Sequence, residues 1–451
     1  MADDRRALAI VFGVVFLDLL GFGIIVPILP FYTRSFPGGT EFVIGLLAAS
    51  YSAMQFLAAP LLGSLSDRHG RRPVIVLSLA GGAVAWTLFG LAEALWTLFL
   101  ARSLAGAMGG NLSAAQAYVA DVTPPEERAG ALGLLGAAFG LGFIFGPGIG
   151  AVLSFGATVA AVDAALPAAV PINRFSLPSF AAAAMSLAGA AVAVAFLPES
   201  RPSDLDGATG TGPGTDTTAE STADRPSQVG MLLEAARSAA LRPLLTAFFV
   251  ASFAFSGVTI MFIPFVADVF GYTASQSALL LTYIGVLSVL VQGVFIGPLT
   301  RRYSSRRLAP AGAAVLAVGL LGLPAAPLLS GVLPDLTDLA GFLDADLLAL
   351  LLVLGVLPVG NGVLNVSLTA LVSTTAASDR QGSAFGLTQG AGSLARTFGP
   401  VVMGGLYTLL GYRAPFLLGA VLLVPVLFIA SRLRESEEPP EPRPVDPGQA
   451  R

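Results

Sequence analysis

Twelve long apolar stretches run along the sequence, and they constrain its fold more strongly than any other feature. A helix needs roughly 20 consecutive apolar residues to cross a bilayer core about 30 Å thick. Because lipid offers no hydrogen-bonding partners, a spanning segment must satisfy its own backbone, as a helix does. The pattern therefore predicts an all-α integral membrane protein with twelve transmembrane helices. The predicted spans are 7–31, 42–65, 73–92, 95–120, 129–155, 177–197, 243–267, 276–299, 308–330, 346–371, 382–409 and 413–433.

The composition agrees with a membrane protein and excludes several classes of function. The 451 residues are 55% hydrophobic and 12% charged, whereas soluble proteins are about 25% charged. The chain has no cysteine and one histidine, so it lacks the usual ligands of a zinc or thiolate site. No nucleophile–base pair or phosphate-binding loop stands out. We therefore expect no enzyme activity, no metal, no cofactor and no nucleic-acid partner.

Arginine is distributed unevenly between the two sets of predicted loops. Fifteen arginines fall on the side of the membrane that carries the N-terminus, and three (Arg34, Arg174 and Arg413) fall on the other side. Short cytoplasmic loops are enriched in basic residues. The distribution predicts a multi-pass protein of the cell membrane, plasma or inner, with both termini in the cytoplasm.

A polar segment divides the apolar stretches into two sets of six. Its high content of Gly, Thr, Ser and Asp is typical of a disordered linker. We expect an N-terminal six-helix bundle at 1–198, the linker at 199–240, a C-terminal six-helix bundle at 241–434 and a disordered cytoplasmic tail at 435–451.

The two halves resemble each other in sequence, which indicates an internal duplication. At an offset of 234 residues, GSLSDRHGRRP from Gly63 aligns with GPLTRRYSSRR from Gly297. At an offset of 253 residues, Gly146-Pro147 aligns with Gly399-Pro400. Two pseudo-repeated six-helix bundles are the architecture of alternating-access transporters, which bind substrate near the membrane midplane between the halves. We therefore expect a small-molecule transporter.

The loop between the second and third spans carries more charge than a turn needs. Its glycines allow the backbones to approach closely, and Asp121 lies on the same face of the membrane, so a charge network is predicted there. The residues of this predicted gate are Gly63, Asp67, Arg68, Gly70, Arg71, Arg72 and Asp121.

Ionisable residues inside membrane helices are expensive and mark functional sites. Asp18 lies about 16 Å deep in the first span, and Arg102 lies at a similar depth, about 18 Å, in the fourth. We expect both to face a water-filled cavity, with Asp18 exchanging protons and Arg102 modulating its proton affinity. The alternative is a static ion pair that fixes helix packing. Arg396, about 21 Å into the eleventh span, either lines the cavity or pairs with backbone carbonyls.

The fifth span is unusually rich in glycine, with Gly142, Gly146 and Gly150 around Pro147. Glycine and proline in a membrane helix favour close packing against a neighbour, and a bend is a further possibility.

Uncharged polar and aromatic side chains in other spans are suited to a bulky, partly apolar ligand. For any one phenylalanine, contact with lipid is the alternative. With Arg396, the candidate cavity residues are Gln55, Asn111, Gln116, Phe255, Gln292, Asn361, Asn365 and Gln389.

Four stretches of the sequence have the character of family motifs: GSLSDRHGRRPVIVLSL, LARSLAGAMGG, GAAFGLGFIFGPGIG and DLLGFGIIVPILP. They resemble motifs of the major facilitator superfamily, and most closely those of the tetracycline/proton antiporter group of its twelve-helix drug/proton antiporters. The resemblance implies that Asp67, Arg71 and Asp121 form a cytoplasmic gate latch and that Arg102 takes part in proton coupling. Tetracycline antiporters carry an acidic residue where this chain has Trp86, so a tetracycline–metal chelate is not the expected substrate.

These features predict a monomeric secondary transporter in the lipid bilayer that exports a small amphipathic compound or drug in exchange for protons. Two alternatives remain open at this point. One is a symporter or facilitator for a nutrient such as a sugar or organic acid. The other is a membrane sensor or scaffold that transports nothing.

Overall fold

A computed structural model describes residues 2–124, 127–167, 170–200, 241–340, 343–375 and 381–432. Most of the predicted linker and all of the predicted tail lie outside these ranges. The described residues of the N-terminal half form nine helices: α1 Ala2–Ile25, α2 Leu29–Arg34, α3 Glu41–His69, α4 Arg71–Gly90, α5 Leu95–Met108, α6 Asn111–Val122, α7 Arg128–Leu153, α8 Gly156–Ala165 and α9 Ser176–Phe196.

The C-terminal half continues this all-helical pattern, and no strand occurs in the described parts of the chain. A π-helical turn, Val291–Phe295, joins two of its helices without a break. Its helices are α10 Leu241–Phe270, α11 Ala274–Leu290, α12 Ile296–Arg302, α13 Ser305–Ser330, α14 Thr337–Ala340, α15 Ala345–Thr375, α16 Gln381–Leu410 and α17 Arg413–Arg432.

The predicted all-α membrane fold is confirmed. Ten helices in the described ranges are long and apolar enough to cross a membrane. The predicted fourth span is divided at Gly109 and Gly110 into α5 and α6, and the predicted eleventh span is the 30-residue helix α16. The short helix α8, which the apolar pattern did not predict, has no buried residue.

Each half has its own apolar core, while its outer surface is also apolar. The C-terminal core includes Phe262 and Phe416, and the N-terminal half contains two clusters, one around Leu79 and the other around Phe89. On the outer surface many large apolar side chains are exposed, and Trp96, for example, is 69% exposed. In water such a surface would promote aggregation, but a bilayer solvates it.

The two halves meet mainly through α3 with α16 and α7 with α11. We call the side on which α1 begins and α17 ends the terminal face, and the other side the distal face. Near the distal face, a Cβ at Gly45 would lie 2.2 Å from the Pro400 carbonyl oxygen, and one at Gly404 would lie 2.3 Å from that of Glu41. Such spacing requires backbones in direct contact.

Near the terminal face the corresponding surfaces are separated. A Cβ at Gly130, Gly133 or Gly136 of α7 would meet no atom within 4 Å. Farther along the same helix, a Cβ at Gly285 of α11 would lie 3.0 Å from Ile144. Along these helices the halves thus diverge toward the terminal face and converge toward the distal face, and we call the space between them on the terminal side the central cavity.

Candidate functional site

Asp18 of α1 and Asn111 of α6 form a polar pair in the middle of the N-terminal half. The Asn111 side-chain nitrogen donates a 3.3 Å hydrogen bond to a carboxylate oxygen of Asp18. Asn111 stands directly after the break between α5 and α6, where Gly110 approaches the backbone of Ala59 on α3. The glycine break thus places an amide beside the intramembrane carboxylate.

Tyr51 of α3 is the residue on which the charged groups of the cavity converge. The guanidinium carbon of Arg102 lies 4.7 Å from the Tyr51 ring centroid and 5.7 Å from that of Phe22. The Tyr51 hydroxyl is also within electrostatic range of Asp18 and of Arg396. The sequence reasoning missed Tyr51, although its four-residue spacing from Gln55 places both polar residues on one face of α3.

Arg102 is buried without a carboxylate partner. Its side chain is 4% exposed, and its Nε atom has no hydrogen-bond partner. Among the described residues, no ion pair joins it to Asp18. The static ion pair that the sequence left open is therefore not present in this conformation.

Arg396 of α16 brings a second arginine near Tyr51, from the C-terminal half. It is exposed, and its guanidinium is within electrostatic range of the Tyr51 hydroxyl on the opposite half. One of its terminal nitrogens lies 3.2 Å from the position that a Cβ of Gly392 would occupy. The absence of a side chain at Gly392 leaves room for the guanidinium.

The other predicted cavity residues occupy varied environments. Gln55 donates a 3.1 Å hydrogen bond to the Gly109 carbonyl oxygen at the helix break. Phe255 packs against the C-terminal core. Gln116, Gln292 and Asn365 are exposed and Asn361 is half-buried, whereas the side chain of Gln389 lies outside the described part of the chain.

The glycine motif of α7 packs directly on α1, next to Asp18. A Cβ at Gly142 would lie 2.9 Å from Leu19, one at Gly146 would lie 2.6 Å from the Cα of Gly23, and one at Gly150 would lie 2.7 Å from the Ile24 carbonyl oxygen. Helix α7 continues through Pro147 without interruption. These contacts fit the close-packing interpretation and connect α7 to the helix that carries the intramembrane carboxylate.

Arg71 is the centre of the charge network at the terminal face. Its side chain, 6% exposed, forms ion pairs with Asp67 at 2.7 Å and with Asp121 at 3.0 Å. It also donates a 2.7 Å hydrogen bond to the hydroxyl of Ser66. Arg68 is exposed, and a Cβ at Gly63 would be in ordinary contact with α6.

Glu199, which the sequence assigned to the linker, completes this network. Its carboxylate accepts hydrogen bonds from the backbone nitrogens of Arg71 at 2.8 Å and Arg72 at 3.1 Å, and so caps the N-terminus of α4. Gly70 has a φ of 93°, and a Cβ there would lie 2.6 Å from the same carboxylate. The positive φ favours glycine at this position, and a side chain there would also displace the Glu199 carboxylate.

A second polar network joins the two halves at the distal face, and we call it the distal latch. Arg34 of α2 donates hydrogen bonds of 2.7 and 2.8 Å to the two carboxylate oxygens of Asp268 on α10. Glu41 also pairs with Arg34, at 2.6 Å. The Tyr407 hydroxyl of α16 donates a 2.7 Å hydrogen bond to Asp268.

The distal latch joins two positions that the internal duplication makes equivalent. Arg34 and Asp268 are 234 residues apart, which is the offset of the repeated loop motif. At the same offset, Pro30-Phe31 matches Pro264-Phe265. The latch thus joins an arginine of one half to an aspartate at the equivalent position of the other, an equivalence that the sequence offset could have revealed.

Comparisons with known proteins agree with this architecture. Tetracycline resistance protein class C from Escherichia coli is 29% identical over 406 residues, which are 90% of each chain. Major facilitator superfamily domain-containing protein 10 from Mus musculus is 26% identical over 95% of this chain and 93% of the relative.

Two solved structures of transporters have similar folds. The crystal structure of the human organic anion transporter MFSD10 (TETRAN) matches with a TM-score of 0.59 and 26% identity, over 95% of this chain and 99% of that one. A bacterial homolog of the human lysosomal transporter Spinster, in an inward-facing and unoccupied conformation, matches with a TM-score of 0.72 at 16% identity, over 97% and 99% of the chains.

The family model described as the Major Facilitator Superfamily matches residues 11–343 and 336–450. This match spans both helical halves and includes the residues of the central cavity and of both charge networks. The chain therefore belongs to the major facilitator superfamily and is a membrane transporter, not an enzyme.

Proposed function

We propose that the protein is a proton-coupled antiporter of the cell membrane that exports a small amphipathic compound or drug by alternating access. The observation that carries this proposal is the carboxylate of Asp18, hydrogen-bonded to Asn111 inside the membrane and next to the central cavity. A buried carboxylate can take up a proton at low energetic cost and lose it when its surroundings become more polar. It is suited to carry the coupling proton.

Arg102 is proposed to tune the proton affinity of Asp18. It lies against Tyr51, whose hydroxyl is within electrostatic range of both charged residues. A nearby cation favours the ionised carboxylate, so rearrangement around Tyr51 would change how readily Asp18 holds its proton. Asp18 and Arg102 would then interact electrostatically through the cavity without forming a permanent ion pair.

The packing of α1 against α7 provides a physical connection between proton binding and movement of the halves. The glycines of α7 contact α1 within a few residues of Asp18, and α7 also packs on α11 of the other half. A change at Asp18 is therefore next to a surface that the two halves share. The terminal-face network of Asp67, Arg71 and Asp121 is the proposed latch of the gate on that side, which we assign to the cytoplasm together with both termini.

The relatives support drug export but leave the substrate open. Tetracycline resistance proteins and an organic anion transporter both align over most of the chain. Trp86, where the tetracycline group carries an acidic residue, is 4% exposed and packs edge-on against Phe89. This apolar environment would not bind a metal chelate, so another amphipathic compound is the proposed substrate, carried by a monomer.

Proton-driven transport in everted membrane vesicles tests the proposal. A panel of dyes and antibiotics is compared between wild type, Asp18→Asn and the control Asp163→Asn, whose aspartate is exposed on α8. We expect transport driven by a pH gradient in wild type and in the control, and none in Asp18→Asn. Unchanged pH-driven transport in Asp18→Asn would remove this carboxylate from the coupling mechanism. Gradient-independent uptake would favour a facilitator, and no transport of any compound would favour a sensor.

A further inference from the structure

We propose that the central cavity binds an anionic group of the substrate between Arg102 and Arg396, one arginine from each half. The inference rests on the proposed function, because it assumes that the transported compound occupies this cavity. It narrows the substrate class to amphipathic compounds that carry a carboxylate, sulfonate or similar acidic group.

The first observation is the unsatisfied state of Arg102. A guanidinium in a membrane protein normally pairs with a carboxylate or with backbone carbonyls, because an isolated buried charge is costly. Arg102 is 4% exposed, its Nε has no hydrogen-bond partner, and no ion pair reaches it from the described residues. The rings of Tyr51 and Phe22 compensate only in part, through cation–π contacts.

The second observation is that Arg396 also has no carboxylate partner among the described residues and lies near the same tyrosine. Its helix belongs to the other half, yet its guanidinium is within electrostatic range of the Tyr51 hydroxyl. No described carboxylate forms an ion pair with it. Two cations, one from each half, are thus within electrostatic range of one phenol.

The third observation is that Asp18 is the one carboxylate found near Tyr51 in the described residues, and that the carboxylates at the two faces already have arginine partners. Asp18 accepts the hydrogen bond of Asn111. At the terminal face Asp121 pairs with Arg71, and at the distal face Asp268 pairs with Arg34. With two arginines and one carboxylate around Tyr51, the cavity carries an excess of positive charge.

An anionic group would complete this arrangement. Carboxylates and sulfonates accept paired hydrogen bonds from guanidinium groups, and the Tyr51 hydroxyl is a further donor. The aromatic rings beside Arg102 are suited to the apolar body of the same compound. Because the two arginines belong to different halves, an anion bound by both would connect the halves through the substrate.

Binding of matched compounds to the purified full-length protein tests the proposal. The probes are 2-naphthoate against 2-naphthamide, by calorimetry, and fluorescein against the cationic ester rhodamine 6G, by fluorescence anisotropy. We expect the acid of each pair to bind at least about tenfold more tightly, because hydrogen bonds between charged groups contribute more than neutral ones.

Variants assign the preference to the arginines. Arg396→Gln should weaken binding of the acids by roughly 10- to 100-fold and leave the uncharged or cationic partners nearly unchanged. Arg396→Lys, which keeps the charge, should retain part of the preference. Arg413→Gln is the matched control, because Arg413 also lies over a tyrosine ring, that of Tyr412, but outside the cavity.

Several results would overturn the anion site. The first is that neither acid binds, and the second is that both members of each pair bind equally tightly. The third is that the Arg396→Gln variant, with the thermal stability of the wild type, keeps its full preference for the acids. The outcomes also separate this inference from the proposed function. Acid preference without proton-driven transport would refute antiport alone, whereas proton-driven transport of rhodamine 6G without acid preference would refute the anion site alone.

Discussion

The distal latch gives the sharpest prediction, because replacing one carboxylate by an amide should shift the balance between the distally closed and distally open conformations of the transporter. Asp268→Asn removes the negative charge that accepts two hydrogen bonds from Arg34 and one from Tyr407, and it changes the side-chain volume very little. The hydrogen bonds from Arg34 join the two halves directly, and the one from Tyr407 holds the Asp268 carboxylate in position. The variant should therefore open the distal face more often.

The expected magnitude follows from the exposure of the partners. The side chains of Arg34 and Asp268 are 25% and 41% exposed, so the pair is worth less than a buried one. An exposed ion pair contributes about 0–1 kcal/mol, and hydrogen bonds to charged groups contribute about 1.5–3 kcal/mol where they are sheltered. A loss of about 1–2 kcal/mol corresponds to a shift of about 5- to 30-fold in the ratio of distally open to distally closed molecules.

Distance measurements between spin labels would detect this shift. The chain contains no cysteine, so labels can be attached at two introduced cysteines without other changes. Suitable positions are the exposed residues Pro37 and Val332, one on the distal side of each half. We expect a larger population of long distances in Asp268→Asn reconstituted in lipid nanodiscs. High salt should produce part of the same effect in the wild type.

The control is Asp335→Asn, the same chemical change on the same face. Asp335 accepts its hydrogen bonds from Thr337 within its own loop and does not join the halves. Identical distance distributions for Asp268→Asn and Asp335→Asn would refute the reasoning, since the latch would then contribute nothing to closure.

Three further predictions concern the N-terminal half. Gly146→Val should destabilise the protein by about 1–3 kcal/mol or more, because a Cβ at this position would lie 2.6 Å from the backbone of α1, whereas Gly136→Ala, with no atom within 4 Å, should be tolerated; thermal unfolding in detergent measures both. Glu199→Gln should lower the free energy of unfolding by about 0.5–2 kcal/mol, because it weakens the cap on α4. A melting curve like that of the wild type would show that Glu199 does not stabilise α4. Asp67→Asn should slow turnover in vesicles and leave substrate affinity nearly intact, because it removes an ion pair of Arg71 away from the cavity; a large loss of affinity would mean that this loop shapes the binding site.

Most of the fold could be predicted from the sequence because lipid imposes a simple rule. A spanning segment must be long, apolar and helical, so the membrane helices are visible in composition alone. Helix breaks were less visible. The pair Gly109 and Gly110 was included in one continuous predicted span, although it ends α5 and begins the separate helix α6.

The candidate site could be predicted only in part. Asp18 and Arg102 were recognisable because a charge inside an apolar stretch stands out without any knowledge of its neighbours. Tyr51 was not, because a tyrosine in an apolar helix is unremarkable until Arg102, Asp18 and Arg396 surround it. Its role depends on three helices other than its own.

The sequence by itself determined the membrane class, the helical segments, the duplication and the identity of the rare intramembrane charges, since each of these is a local property or a comparison along the chain. Only the tertiary structure decided which charges are partnered. It separated Arg102 from Asp18, joined Arg34 to Asp268 across 234 residues, and brought Glu199 onto the end of α4. Pairing depends on distances of a few ångströms between side chains on different helices, and these distances arise only when the two halves pack.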